Sequence, residues 1–116
     1  MNVTAALVAV IVLAVLALLR RLLKGGRVSS NVVKEKIAAG ASIVDVRTPE
    51  EFRQGAYPGA VNIPVQVLRQ RVGEIDRSRP VVVYCASGGR SAVSAQLLTA
   101  AGYADVSNAG GLGDMP

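Results

Sequence analysis

Histidine is absent from this chain of 116 residues, cysteine occurs once, and aromatic side chains make up only 3% of it. Without an imidazole there is no Cys–His or Ser–His catalysis and no His-based metal site. One cysteine excludes an intramolecular disulfide and a C-x-x-C pair for redox cycling or zinc. No cofactor and no metal are therefore expected. Acidic side chains are missing from the first 27 residues, where Arg20, Arg21, Lys24 and Arg27 stand; beyond them nine basic residues meet eight acidic ones. The formal charge of +5 is thus local to one segment. With a nearly balanced remainder and few aromatics, a nucleic-acid partner has no support.

What the N-terminus does have is a long apolar run. From Val3 to Leu19 every residue but Thr4 is apolar. A membrane-crossing helix needs ~20 residues at ~1.5 Å each. Counting Met1 and Asn2, and letting Leu22 and Leu23 sit at the interface, the run just suffices. A buried core helix would alternate with a polar face, and this one is apolar all round. A signal peptide would begin with basic residues, whereas here they follow the run; cleavage after Ala17 is the lesser alternative and would release a soluble domain. The expected organisation is a transmembrane helix over 1–23, a basic juxtamembrane linker over 24–27 with a Gly25-Gly26 hinge, and one domain over 28–116. By the positive-inside rule the N-terminus lies outside and the domain on the cytoplasmic side, single-pass, as in a bacterial inner membrane. Membrane lipid is then a partner, anionic headgroups attracting the basic stripe.

Within 28–116, helical and β-type patterns alternate. Ser29-Ser30-Asn31 offers N-caps to a helix that Gly40 stops, and Ser42 to Val46 is β-rich. Thr48-Pro49-Glu50-Glu51 starts a helix with Thr48 as N-cap, Pro49 at its first position and Glu51 at the capping-box position. Gly55 ends it. Ala60 to Ile63 is a short strand and Val65 to Ile75 an amphipathic helix. Pro80 opens a strand to Tyr84, a helix spans Ser91 to Ala101 with Gly102 as its stop, and Asp105 to Asn108 makes a last strand. Strands alternating with helices predict an α/β layer fold on a parallel sheet.

Cys85 stands where such sheets bind ligands, just beyond a strand's carboxyl end. The small-residue loop after it leads into a helix, so backbone N–H groups and the helix dipole converge there and favour a thiolate. A structural cysteine buried at the end of a core strand is the competing reading. Gly88, Gly89 and Arg90 speak against it, because a packed core has no need of two glycines and an arginine there.

Three stretches resemble one family. Asp45-Val46-Arg47-Thr48-Pro49-Glu50-Glu51-Phe52, with Gly55 and Pro58-Gly59-Ala60-Val61-Asn62-Ile63-Pro64, is similar to the signature of rhodanese-like domains. Cys85-Ala86-Ser87-Gly88-Gly89-Arg90-Ser91 resembles the family's active-site loop, and Asn108-Ala109-Gly110-Gly111-Leu112 its closing turn. Ala56 and Tyr57 stand where many members carry His-Ile. The resemblance implies a three-layer α/β fold, a central parallel sheet flanked by helices. It also implies a thiosulfate-type sulfurtransferase in which Cys85 attacks the outer sulfur of thiosulfate or a similar donor, becomes a persulfide, and passes the sulfane sulfur to a thiophilic acceptor. The loop N–H groups from Ala86 to Arg90, across Ser87, Gly88 and Gly89, would stabilise the anionic sulfur. Arg90 would hold the donor anion or, alternatively, fix the loop by a salt bridge.

Asp45, Arg47 and Ser91 are expected in supporting roles, Asp45 capping loop amides and Arg47 pairing with Glu50 or Glu51. The implied partners are a small anionic sulfur donor and an external thiol or protein acceptor, no second cysteine being present to resolve the persulfide. A membrane-anchored sulfur-relay or regulatory binding module is the alternative. Phosphatase or arsenate-reductase chemistry is disfavoured, because only four residues separate Cys85 from Arg90 where rhodanese-related phosphatases have five.

Overall fold

The computed structural model describes residues 2–23 and 26–116, the side chains of 20–23 excepted. Four strands, β1 (Ser42–Asp45), β2 (Val61–Asn62), β3 (Val81–Cys85) and β4 (Val106–Gly111), form one sheet in the order β2-β1-β3-β4. All three pairings are parallel. Each strand is reached through helical segments, as parallel pairing demands. The helices are α1 (Val3–Leu23), α2 (Ser30–Ala38), α3 (Pro49–Gln54), α4 (Leu68–Arg71) and α5 (Gly89–Ala100).

Strand alternation divides the core in two. Ile43, Val82 and Tyr84 point to one face and pack with Val33 of α2 and with Ala109. Val44, Val81, Val83 and Cys85 point to the other and pack with Leu68 of α4 and with Ala95 and Leu98 of α5. Every residue of β3 is buried, which is why the run is apolar throughout rather than alternating. The expected three-layer α/β fold with a central parallel sheet is what forms.

The expected caps form as well. Ser29 accepts from the Val32 N–H at 3.3 Å. The Thr48–Glu51 capping box is complete, with Pro49 in the first turn of α3. At the end of α5 the Gly102 N–H donates to Thr99 and the Tyr103 N–H to Leu98, a Schellman pair closed by Gly102 at φ +98°. Two elements differ. The helix expected over 65–75 is a single α-turn, α4, between 3-10 turns at Val65–Val67 and Val72–Glu74. Three β-branched valines and Gly73 weaken helix continuity there. Strand β4 runs on to Gly111 instead of stopping at Asn108, with a register shift opposite Val83 and Cys85. Bulges of this kind re-aim backbone next to functional sites.

The N-terminal segment forms a helix, but the expectation that it crosses a membrane is not supported: among the described residues no helix is long and apolar enough to do so. Its apolar stretch, from Val3 to Leu19, extends ~25 Å, short of a hydrocarbon core of ~30 Å. Its described side chains are exposed except half-buried Ala6. Lys24 and Gly25 of the expected linker, and the side chains of Arg20 and Arg21, lie outside the described residues. Arg27 forms a parallel bridge with Asn108 and an ion pair with Asp114 at 3.0 Å, and the Val28 N–H donates to the Asn108 carbonyl.

Candidate active site

Cys85 is the last residue of β3, and its side chain faces the α5 side of the sheet. The chain then turns through exposed Ala86 and Ser87 to Gly88, which caps α5 at φ +103°. Only glycine adopts that angle without strain. The turn swings the Gly88 N–H back onto Cys85 Sγ at 2.9 Å. Because α5 begins at Gly89, two residues ahead of the expected start, Arg90 and Ser91 lie in its first turn. Ser91 is fully buried, its Oγ 3.4 Å from Cys85 Sγ.

These contacts decide the state of the sulfur. Burial pushes the Cys85 thiol up. The Ser91 hydroxyl and the N–H groups of Ser91, Gly88 and Ser87 act the other way and prevail, leaving it below its ordinary 9.0. Of the loop amides expected around the sulfur, the Gly88 N–H is the one within hydrogen-bond distance among the described contacts. The Ser91 hydroxyl has two further acceptors in reach, the carbonyls of Gly88 at 3.1 Å and Gly110 at 3.2 Å. Its single proton can therefore serve a carbonyl while the sulfur is a thiol and turn to the sulfur when it is a thiolate.

Arg90 is paired with Glu51. Its two terminal nitrogens donate to the Glu51 carboxylate at 2.6 and 3.0 Å, a fork-on-fork pair about one-third exposed on either side. Arg90 and the Thr48 backbone, in that order, hold the Glu51 carboxyl down at about 2. Glu51 raises the Arg90 guanidinium most, and attraction from Cys85 adds to it, so Arg90 stands within electrostatic reach of the sulfur.

Asp45 and Arg47 pair with each other. Arg47 reaches the fully buried Asp45 carboxylate at 2.6 Å and donates onward to the Gly55 carbonyl at 2.7 Å. The expected pairing of Arg47 with Glu50 or Glu51 does not occur, because Asp45, two residues back, presents its carboxylate on the same side of the turn while Glu51 is committed to Arg90. Asp45 does meet a backbone amide, the Arg47 N–H, at 2.9 Å. The Tyr84 ring lies 5.6 Å from the Arg47 guanidinium carbon. Burial pushes the Tyr84 phenol up to about 12, and its oxygen accepts from the Tyr57 N–H at 3.0 Å. This holds the turn in which Ala56 and Tyr57 replace His-Ile.

Three residues contribute beyond those expected. Glu51 anchors Arg90. Asn62 donates to the carbonyls of both Asp45 and Arg47, clamping the β1 exit. Gly111 faces the loop so closely that a Cβ there would overlap the Ala86 carbonyl. Among the described residues no cluster of His, Cys, Asp or Glu is placed to hold a metal ion.

The rhodanese-like domain family matches residues 29–112, which is most of the chain. The chain belongs to that family. It is 39% identical over 74 residues to the thiosulfate sulfurtransferase PspE of Escherichia coli, covering 62% of this chain and 71% of the relative. It is 42% identical over 66 residues to a sulfurtransferase of Allochromatium vinosum, covering 57% and 62%. Among solved structures, the human single-domain sulfurtransferase TSTD1 superposes with a TM-score of 0.62 at 30% identity, covering 73% of this chain and 88% of that one. A rhodanese-like domain protein of Staphylococcus aureus superposes at 0.66 with 29% identity, covering 78% and 90%. Three of these four relatives are named as sulfurtransferases, which supports sulfur transfer in general.

Proposed function

We propose that this protein is a sulfurtransferase that carries a sulfane sulfur as a persulfide on Cys85. The observation that carries the reading is the sulfur's setting: a buried thiol at a strand end, met by the Gly88 N–H at 2.9 Å and by Ser91. The Cys85 thiolate attacks the outer sulfur of thiosulfate, the S–S bond breaks, and its electron pair leaves with sulfite. Cys85 then bears a terminal anionic sulfur, stabilised by loop N–H groups and the α5 dipole. A thiophilic acceptor, an external thiol or protein, attacks that sulfur and restores the thiolate. The roles follow residue by residue. Cys85 is the nucleophile; Ala86, Ser87, Gly88, Gly89 and Arg90 enclose the donor; Ser91, Asp45 and Arg47 support the loop.

Intact-mass spectrometry after incubation with thiosulfate tests this. The expected result is a gain of one sulfur atom that cyanide removes as thiocyanate and that Cys85→Ser abolishes. No adduct on a folded chain with a free thiol would overturn it and favour the binding-module alternative.

We also propose that the domain works at the cytoplasmic face of a membrane, with α1 in contact with lipid. Val3, Leu7, Val10 and Leu13 are 85%, 59%, 63% and 66% exposed, an apolar surface that no described residue covers. The basic residues after it favour the cytoplasmic leaflet. Sedimentation with anionic vesicles should retain the full chain and lose a chain shortened to begin at Gly26. Protease access to an N-terminal tag from the outside of intact cells would add a crossing helix with its N-terminus out. Recovery of the full chain in the soluble fraction would dismiss both.

A further inference from the structure

We infer that Glu51 is a specificity-determining residue of this site: it occupies the Arg90 fork that an anionic donor's head group needs, so a strongly anionic donor must displace it. A donor whose leaving group is a simple thiolate without an oxyanion head need not. The inference rests on the sulfur-transfer reading and extends it to the class of donor.

Four features carry it. A carboxylate and a sulfonate present similar oxygen pairs to a guanidinium, and both terminal nitrogens of Arg90 are already taken, at 2.6 and 3.0 Å. Glu51 is itself fixed from the other side: its Oε1 accepts from the Thr48 N–H and Thr48 hydroxyl, both at 3.1 Å. Pro49 stiffens the turn that presents it. A loosely held glutamate would swing away from an arriving anion; one built into the start of α3 resists. The pair is about one-third exposed, so a solute can reach it and compete. Because Glu51 stays ionised throughout the neutral range, its competition does not ease with pH there.

The donors divide on the group that leaves. With thiosulfate, Cys85 thiolate takes the outer sulfur and the electron pair of the S–S bond departs on sulfite, a dianion that must be held beside Glu51. With an alkyl persulfide, the thiolate takes the terminal SH sulfur and the pair departs on a thiolate, which then takes a proton from water. That second route has no sulfonate to seat. Glu51 therefore penalises the first route and spares the second.

The test is the rate of Cys85 loading in the full chain, measured against donor concentration for thiosulfate and for 2-hydroxyethyl persulfide. Glu51→Gln is the main variant, since glutamine at this capping-box position keeps an acceptor for Thr48. Its expected effect is a fall of about twofold to fivefold in the half-saturating thiosulfate concentration, in line with a part-exposed ion pair. The maximal rate should hold within about twofold and the persulfide curve should not move. Glu51→Asp, which keeps the charge but shortens the reach, should fall between the two, and it decides the matter if the glutamine variant does not fold. An unchanged or raised thiosulfate value, or a parallel loss with both donors, would overturn the inference, making Glu51 a mere support for Arg90. If neither donor loads the wild-type chain, the sulfur-transfer reading itself falls and this inference with it.

Discussion

Ser91 sits where one hydroxyl proton is shared among Cys85 Sγ, the Gly88 carbonyl and the Gly110 carbonyl. Removing it takes away the largest single influence holding the Cys85 thiol down, while burial continues to push it up. A hydrogen bond to the charged form of a group favours that form. Ser91→Ala should therefore raise the midpoint for thiolate formation, with the remaining amides still opposing burial. The rate of alkylation by iodoacetamide against pH reads this directly. Thiolate is the deprotonated form, so reactivity rises with pH through a midpoint below 9.0 in the wild type, and the variant's curve should lie to its right. An unmoved curve would show that backbone amides alone set the sulfur's state. At this scale the loop's residue types were legible in sequence, but their pairings were not. Arg47 meets Asp45 and not Glu50 or Glu51, because a side chain's partner is fixed by direction, not by sequence distance.

At the scale of elements, the loop is braced by β4 as much as by α5. The bulge opposite β3 brings Gly110 and Gly111 under the loop, where the Gly111 N–H donates to Asp114 at 2.8 Å and Asp114 pairs with Arg27. Gly111 has an ordinary backbone angle, so any cost of a side chain there is steric. Gly111→Ala should destabilise the domain by about 1–3 kcal/mol, as overpacking does, and displace the Ala86 peptide. Urea unfolding gives the first quantity. A parallel loss of Cys85 loading would trace the second, and a variant as stable as the wild type would mean the strand end yields freely. Helix caps were readable because they are local: Ser29, Thr48, Glu51 and Gly102 all act within a few residues of themselves. The extension of β4 was not, since it depends on what the strand meets across the sheet, whereas the break-up of 65–75 follows from its own valines and Gly73.

For the whole molecule, the sheet domain and α1 differ in kind. Side chains on both faces of the sheet are covered, by α2 on one and by α4 and α5 on the other. The described part of α1 buries nothing comparable. A chain beginning at Gly26 should therefore keep Arg27 and Val28 on β4 and unfold within about 0.5 kcal/mol of the full chain, as changes away from packed features do. Denaturation of both in mild detergent checks this. A large loss would show that α1 packs on the domain in solution.

The sequence by itself determined the parallel α/β order, the caps, the apolar α1 and the Cys85 loop. Each is written in hydrophobic period, turn chemistry or a contiguous motif, and these act through near neighbours. Only the tertiary structure decided that Arg90 belongs to Glu51, that Asp45 and Arg47 belong to each other, and that Gly111 lies against Ala86. Those pairs stand across strand crossovers or turns whose geometry exists only once the sheet has formed. It also decided how far the sulfur's environment is set, since the opposing effects of burial and hydrogen bonding appear only when β3 is covered.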